Sequence, residues 1–214
     1  MMDVEKLMKK FLGNSSGFGK GAATGGILGA VLGSKKGRKM AGSGLKYAGL
    51  AAAGVMAWKA YQGWQQGRQP EQATPVREGD WQRMDPRFSP QAPAAGGESF
   101  QLSLMRAMIG AAKADGHVDA REQQRIFEQV EQMGLAADEK ALVFDMLSAP
   151  VAMSEIVASA KGPEQAAELY LASRLVVDPD EASERAYLDA LAHRLQLPAE
   201  LVAHLEQQVK QGLE

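Results

Sequence analysis

Hydrophobic positions along the chain fall into four regimes. Residues 3–12 alternate in a helical rhythm, with Val4, Leu7, Met8 and Phe11 on one side and Lys6, Lys9 and Lys10 on the other. That pattern predicts a short amphipathic helix, either solvated or resting on a membrane surface through its lysines. Residues 21–33 are uncharged and almost wholly small or apolar, and a basic island of Lys35, Lys36, Arg38 and Lys39 follows. A second apolar stretch at 40–60 contains Leu45, Tyr47, Leu50, Val55, Met56 and Trp58. A bilayer crossing needs about twenty residues, a length this stretch reaches by placing Lys46 near one end. Gly21, Gly25, Gly29 and Gly33 recur every fourth residue, on one helix face, a spacing that lets membrane helices approach closely. The preferred expectation is one crossing at about residues 40–60, ahead of a hairpin built from both stretches and of a surface-lying or soluble assembly.

Residues 62–98 lose the rhythm. They are rich in Gln and Pro, including Pro70, Pro75, Pro86, Pro90 and Pro93. Such a segment buries too little apolar surface to offset its ordering entropy, so it is expected to be a linker without a stable fold.

From Ser99 to Glu214 the rhythm is helical throughout. Leu102, Met105, Met108, Ile109 and Ala112 share one face, and Ile126, Phe127, Val130 and Met133 share another up to the stop at Gly134. Further helices are expected at about 137–148, 153–161, 163–176, 179–195 and 198–211, punctuated by Pro150, Gly162-Pro163, Pro179 and Pro198. No alternating strand pattern of useful length appears. The expected fold class is all-α, a compact bundle of about seven helices in residues 99–214, preceded by a Gly-rich apolar membrane segment and a disordered linker.

Charge sharpens this division. The chain carries a net charge of −2, but residues 1–98 hold fourteen Lys/Arg against seven Asp/Glu, and residues 99–214 hold ten against nineteen. A half at +7 and a half at −9 suit different surroundings, and the acidic half is a poor nucleic-acid binder. The absence of cysteine removes disulfides and thiolate chemistry. The start has no pattern of a cleaved signal peptide. Lysines before the apolar stretch favour a cytoplasmic N-terminus, so a single span would put the C-terminal domain in the periplasm and a hairpin would reverse that.

The candidate chemistry gathers at Asp115-Gly116-His117-Val118-Asp119, with Glu122 three residues further on. Asp119 and Glu122 have capping-box spacing, so helix capping explains them without a ligand. The same carboxylates offer oxygen ligands to a divalent cation such as Ca²⁺ or Mg²⁺, although the EF-hand loop is missing. A shift of 62 residues lays Glu122 on Glu184, Ile126 on Leu188 and Val130 on Ala192, and brings in a second acidic turn, Asp178-Pro179-Asp180-Glu181. There Asp178 is expected to cap a helix whose first position is Pro179. His117 lies in the first turn; His193 and His204 fall on helices without a metal-spaced partner and read as surface or core-edge residues. The serines lack a nucleophile-elbow context, and the glycines do not form a phosphate loop.

Residues 100–211, with Ala-Lys-Ala-Asp-Gly-His-Val-Asp-xx-Glu and the later Tyr-Leu-Ala-Ser-xxx-Val-Asp-Pro-Asp, resemble the TerB-like helical domain of tellurite-resistance proteins. With the Gly-rich first half added, the chain resembles bacterial inner-membrane proteins of the YebE type, which have no assigned activity. The resemblance implies an all-α domain, residence in the inner membrane, and a divalent-metal role for Asp115, Asp119, Glu122, Asp178, Asp180 and Glu184. Val177 stands where strict symmetry would put a partner of Asp115.

The expected function is a membrane-tethered, non-enzymatic interaction or sensing module of the bacterial envelope. Residues 20–60 would anchor it, and the acidic turns would bind a protein partner or a divalent cation. The alternatives are a carboxylate-based enzyme on the same turns and a structural membrane homo-oligomer packed through its glycine face.

Overall fold

The computed structural model describes residues 49–213 apart from 78, 115, 117–119, 134–136 and 178–180, all within the unit Met40–Glu214. The described residues form nine α-helices: α1 (Gly49–Gln65), α2 (Asp80–Arg83), α3 (Phe100–Ala112), α4 (Ala120–Met133), α5 (Ala137–Ser148), α6 (Met153–Ala158), α7 (Pro163–Val176), α8 (Ala182–Arg194) and α9 (Ala199–Leu213). Single 3-10 turns occur at Pro70–Gln72 and Pro86–Phe88. No strand occurs among the described residues, only one isolated bridge between Pro93 and Ser99. The expected all-α class holds.

The fold is built around α7. Pro163 opens it, a position where the missing N–H costs nothing. Every residue from Glu164 to Val176 is then buried except Leu175. Helices α3 and α1 pack along it, and α9 lies against both α1 and α7. The Ser173 hydroxyl sits 3.1 Å from the Ala107 carbonyl oxygen of α3 and 3.0 Å from that of Leu169, so its one proton is satisfied inside the core. A clasp joins α7 to α9: Arg174 Nε donates to Glu206 at 2.9 Å, and the Tyr170 hydroxyl donates to the same carboxylate at 2.8 Å. Burial, followed by the Glu206 charge, pushes the Tyr170 phenol well above its usual range. Around this centre α4 contributes Ile126 and Val130, α5 contributes Val143, and the Phe127 and Phe144 rings meet at 5.9 Å.

Helix α1 corrects the expected span. None of the described helices is long and apolar enough to cross a membrane. Ala52, Ala53, Val55, Met56, Ala57, Trp58, Ala60 and Tyr61 are instead buried against protein. A helix that is apolar all round satisfies either a membrane or the centre of a fold, and hydropathy alone does not separate the two. Its small residues serve close packing. A Cβ on Gly54 would lie 2.4 Å from the Phe88 carbonyl oxygen and 3.1 Å from Glu168 Oε2. Residues 40–48, the remainder of the expected span, and the glycine series at 21–33 lie outside the described residues.

The segment expected to be a disordered linker also differs. Residues 66–98 have no core of their own, yet they are laid along the helices by a few anchors. Phe88 is 1% exposed and meets Tyr61 of α1 edge-on at 5.5 Å. Asp85 accepts from the Arg87 backbone N–H at 2.9 Å, and the Arg87 guanidinium pairs with both Asp85 and Glu164 at the start of α7. Further along, Gln165 Nε2 donates to the Pro93 carbonyl at 3.2 Å and the Ala95 N–H donates to that of Ser159 at 2.9 Å. Polar residues and prolines hide this attachment from a composition argument, because most of the bonds use backbone atoms.

Candidate ligand-binding site

The C-terminal half of α1, residues 68–74, helix α2 and α9 enclose a cleft of about 420 Å³. Helix α1 supplies Trp58, Lys59, Gln62 and Gly63. Helix α9 supplies His204 and Gln208, four residues apart and therefore on one face. The third side comes from Arg68, Gln72, Ala73 and Thr74, with Asp80 and Arg83 from α2.

Polar contacts fix these walls. Lys59 Nζ donates to Asp80 Oδ2 at 2.8 Å and to the Pro75 carbonyl at 2.9 Å. Asp80 Oδ2 also accepts from the Arg77 backbone N–H at 2.8 Å. Burial alone would raise the Asp80 carboxyl, but the Lys59 and Arg77 hydrogen bonds and charges together hold it below its usual value. Gln208, 1% exposed, donates through Nε2 to the Thr74 carbonyl at 2.9 Å. His204 is 5% exposed, and the absence of a side chain on Gly63 lets its ring lie against α1: a Cβ there would be 3.2 Å from Nδ1.

A second polar feature lies in the core itself. Glu168 of α7 is fully buried, and neither carboxylate oxygen has a hydrogen-bond partner. Burial pushes this carboxyl well above its usual range. Its surroundings are Gly54 and the Phe88 carbonyl, one helix over from the cleft.

The acidic turns are only partly described. Asp115, His117, Asp119, Asp178 and Asp180 lie outside the described residues, as does the side chain of Glu122 on α4. Glu184 stands in the first turn of α8 and is 8% exposed. Helix α8 begins at Ala182 after Glu181, and Asp178 and Pro179, expected as cap and first position, lie outside the described residues. Gly116 has a φ of +87°, the left-handed conformation that a glycine after a helix supplies at little cost. Lys113, just before this turn, donates to the Met146 and Ala149 carbonyls at the end of α5, and burial lowers its pKa. Among the described residues no group of three His, Asp or Glu side chains is placed to hold a metal.

Sequence reasoning missed the cleft. Lys59 lay within an expected span, Arg68, Asp80 and Arg83 within an expected linker, and His204 looked like a core-edge residue. The available signal was the i, i+4 pair of polar residues, His204 and Gln208, amid the apolar positions Leu201, Leu205 and Val209.

Together these observations define an all-helical protein whose first described helix is buried and whose polar cleft is sized for a small ligand. The chain belongs to the family described as "Protein of unknown function (DUF533)", which matches residues 17–209. It is similar to the "Uncharacterized protein in ampR 5'region" of Yersinia enterocolitica, with 31% identity over 108 residues covering 50% of this chain and 78% of that protein. No solved structure matches the chain.

Proposed function

We propose that this chain is a non-enzymatic sensing or interaction module whose ligand site is the cleft between α1 and α9. One observation carries this: two buried polar side chains, His204 and Gln208, face a cavity of about 420 Å³ instead of the closed core around them. Cavities of about 300–1,000 Å³ with a few placed polar groups are the usual form of small-molecule sites. The pairing of Lys59 with Asp80 favours holding a ligand over turning one over, since each group already restrains the other.

The kinship to TerB-like domains belongs to this proposal, as does a divalent cation at the acidic turns. Calorimetry of the full chain with Ca²⁺ and Mg²⁺ tests the latter: heat lost in an Asp115→Asn, Asp119→Asn variant supports it, and no heat in the parent chain ends it. Attachment to the bacterial inner membrane would fall on the segment before residue 49, because α1 is used in the core.

A thermal-shift panel of small polar metabolites tests the cleft. Ala73→Trp narrows it from a loop outside the core. A compound that raises the melting temperature of the parent chain and not of this variant supports the proposal. A panel in which no stabilising compound is sensitive to Ala73→Trp overturns it.

A further inference from the structure

The charge of the cleft runs against that of the domain around it. Residues 99–214 carry nineteen acidic side chains against ten basic ones. The cleft is lined by three cations, Lys59, Arg68 and Arg83, and by one carboxylate, Asp80. All three cations come from the stretch before residue 99, laid over the acidic domain. A cavity lined mainly by one sign of charge between low-dielectric walls concentrates the opposite charge.

The donors also have capacity to spare. An ammonium has three N–H donors, and Lys59 uses two, on Asp80 and on the Pro75 carbonyl. Arg68 and Arg83 are exposed on the cleft side and bring planar donor forks that match the oxygens of a phosphate or carboxylate. Asp80 contributes the opposite chemistry, a charged acceptor for a ligand N–H or O–H. The apolar body of Trp58 and the Ala60 and Ala73 side chains complete the wall, so the site has room for carbon as well as charge.

Resting on the cleft being a ligand site, we infer that it receives a small organic dianion, a phosphomonoester or a dicarboxylate, that also carries a hydroxyl or amino group. Arg68, Arg83 and the third N–H of Lys59 hold the dianion. Asp80 takes the hydroxyl or amine. Binding is attractive chiefly through charge, and it weakens as salt screens the site.

Calorimetry on the full chain at pH 7 and low salt tests this with glycerol 3-phosphate and malate, the two arms separating phosphoryl from dicarboxylate chemistry. Glycerol and choline are the uncharged and cationic controls. At least one dianion binds and the controls do not. Arg68→Gln and Arg83→Gln each weaken it about tenfold, the scale of one charge-assisted hydrogen bond. Asp80→Asn gives the diagnostic sign: inorganic phosphate, which has no need of the acceptor, binds several-fold more tightly once the carboxylate charge is gone. A merely structural Asp80 would loosen the cleft and weaken that binding. The inference is overturned if neither dianion binds, or if both arginine variants bind as the parent does. A neutral or cationic compound that binds the parent chain and fails on Ala73→Trp would leave the cleft a ligand site while overturning its dianion chemistry.

Discussion

Glu168 is a carboxyl placed where ionisation is expensive, fully buried with both oxygens unpartnered. The folded state therefore holds this proton more tightly than the unfolded chain, whose carboxyl titrates near the ordinary 4.5. Its contribution is intact below that value and declines as pH rises toward the raised folded value. Glu168→Gln should raise the melting temperature at pH 8, change it little at pH 4, and flatten the fall between them. A parallel offset at both pH values would show that ionisation is not the cause. Gly54, beside it, is set by sterics: Gly54→Ala forces a methyl against the Phe88 carbonyl and should cost about 1–3 kcal/mol by denaturant titration. On α7 and α9, Tyr170→Phe removes a donor to Glu206 and should cost about 1 kcal/mol in the same measurement. Neither Glu168 nor Gly54 was legible as special from the sequence. A glutamate one turn after Glu164 looks like part of a solvated face, and Gly54 is one glycine among 23.

At the scale of elements, helices α3 to α9 were readable because their apolar positions keep a period and their ends carry Gly or Pro. The expected helices at 137–148 and 163–176 coincide with α5 and α7, and the others differ by a few residues at their ends. Helix α1 was readable as a helix but not as a core helix. An all-round apolar surface gives no direction, and most of the partners that bury it lie on α7 and α9, more than a hundred residues further along the chain. Its removal is the corresponding test. A chain beginning at residue 49 should melt cooperatively in detergent-free buffer. One beginning at residue 99 should lose the cooperative transition, because the α7 and α9 faces against α1 would be left in water. Equal transitions in both would make α1 dispensable. The segment 66–98 was illegible for a different reason: its attachment depends on Phe88, Ala94 and backbone carbonyls, not on a pattern.

Across the whole molecule, the division into a basic first half and an acidic second half takes on a structural meaning. The two are not separate bodies joined by a tether over residues 49–213. Basic residues of the first half, Lys59, Arg68 and Arg83, are built into a wall of the acidic helical domain, and the cleft exists only where the two meet. Charge asymmetry was visible in the sequence; that it converges on one cavity was not, since the cavity joins residues 58–83 to residues 204 and 208. The family match over residues 17–209 covers both contributions, as expected of a fold that needs α1.

Hydrogen exchange of the full chain with and without whichever of glycerol 3-phosphate and malate binds in calorimetry tests the cleft most directly, because it reports where a ligand acts. Binding in the cleft should slow amide exchange in residues 68–83 and along α9 near His204 and Gln208, and Arg68→Gln with Arg83→Gln should abolish that protection. Protection confined to other segments, or an unchanged exchange pattern at saturating ligand, would contradict the assignment of the cleft as the functional site.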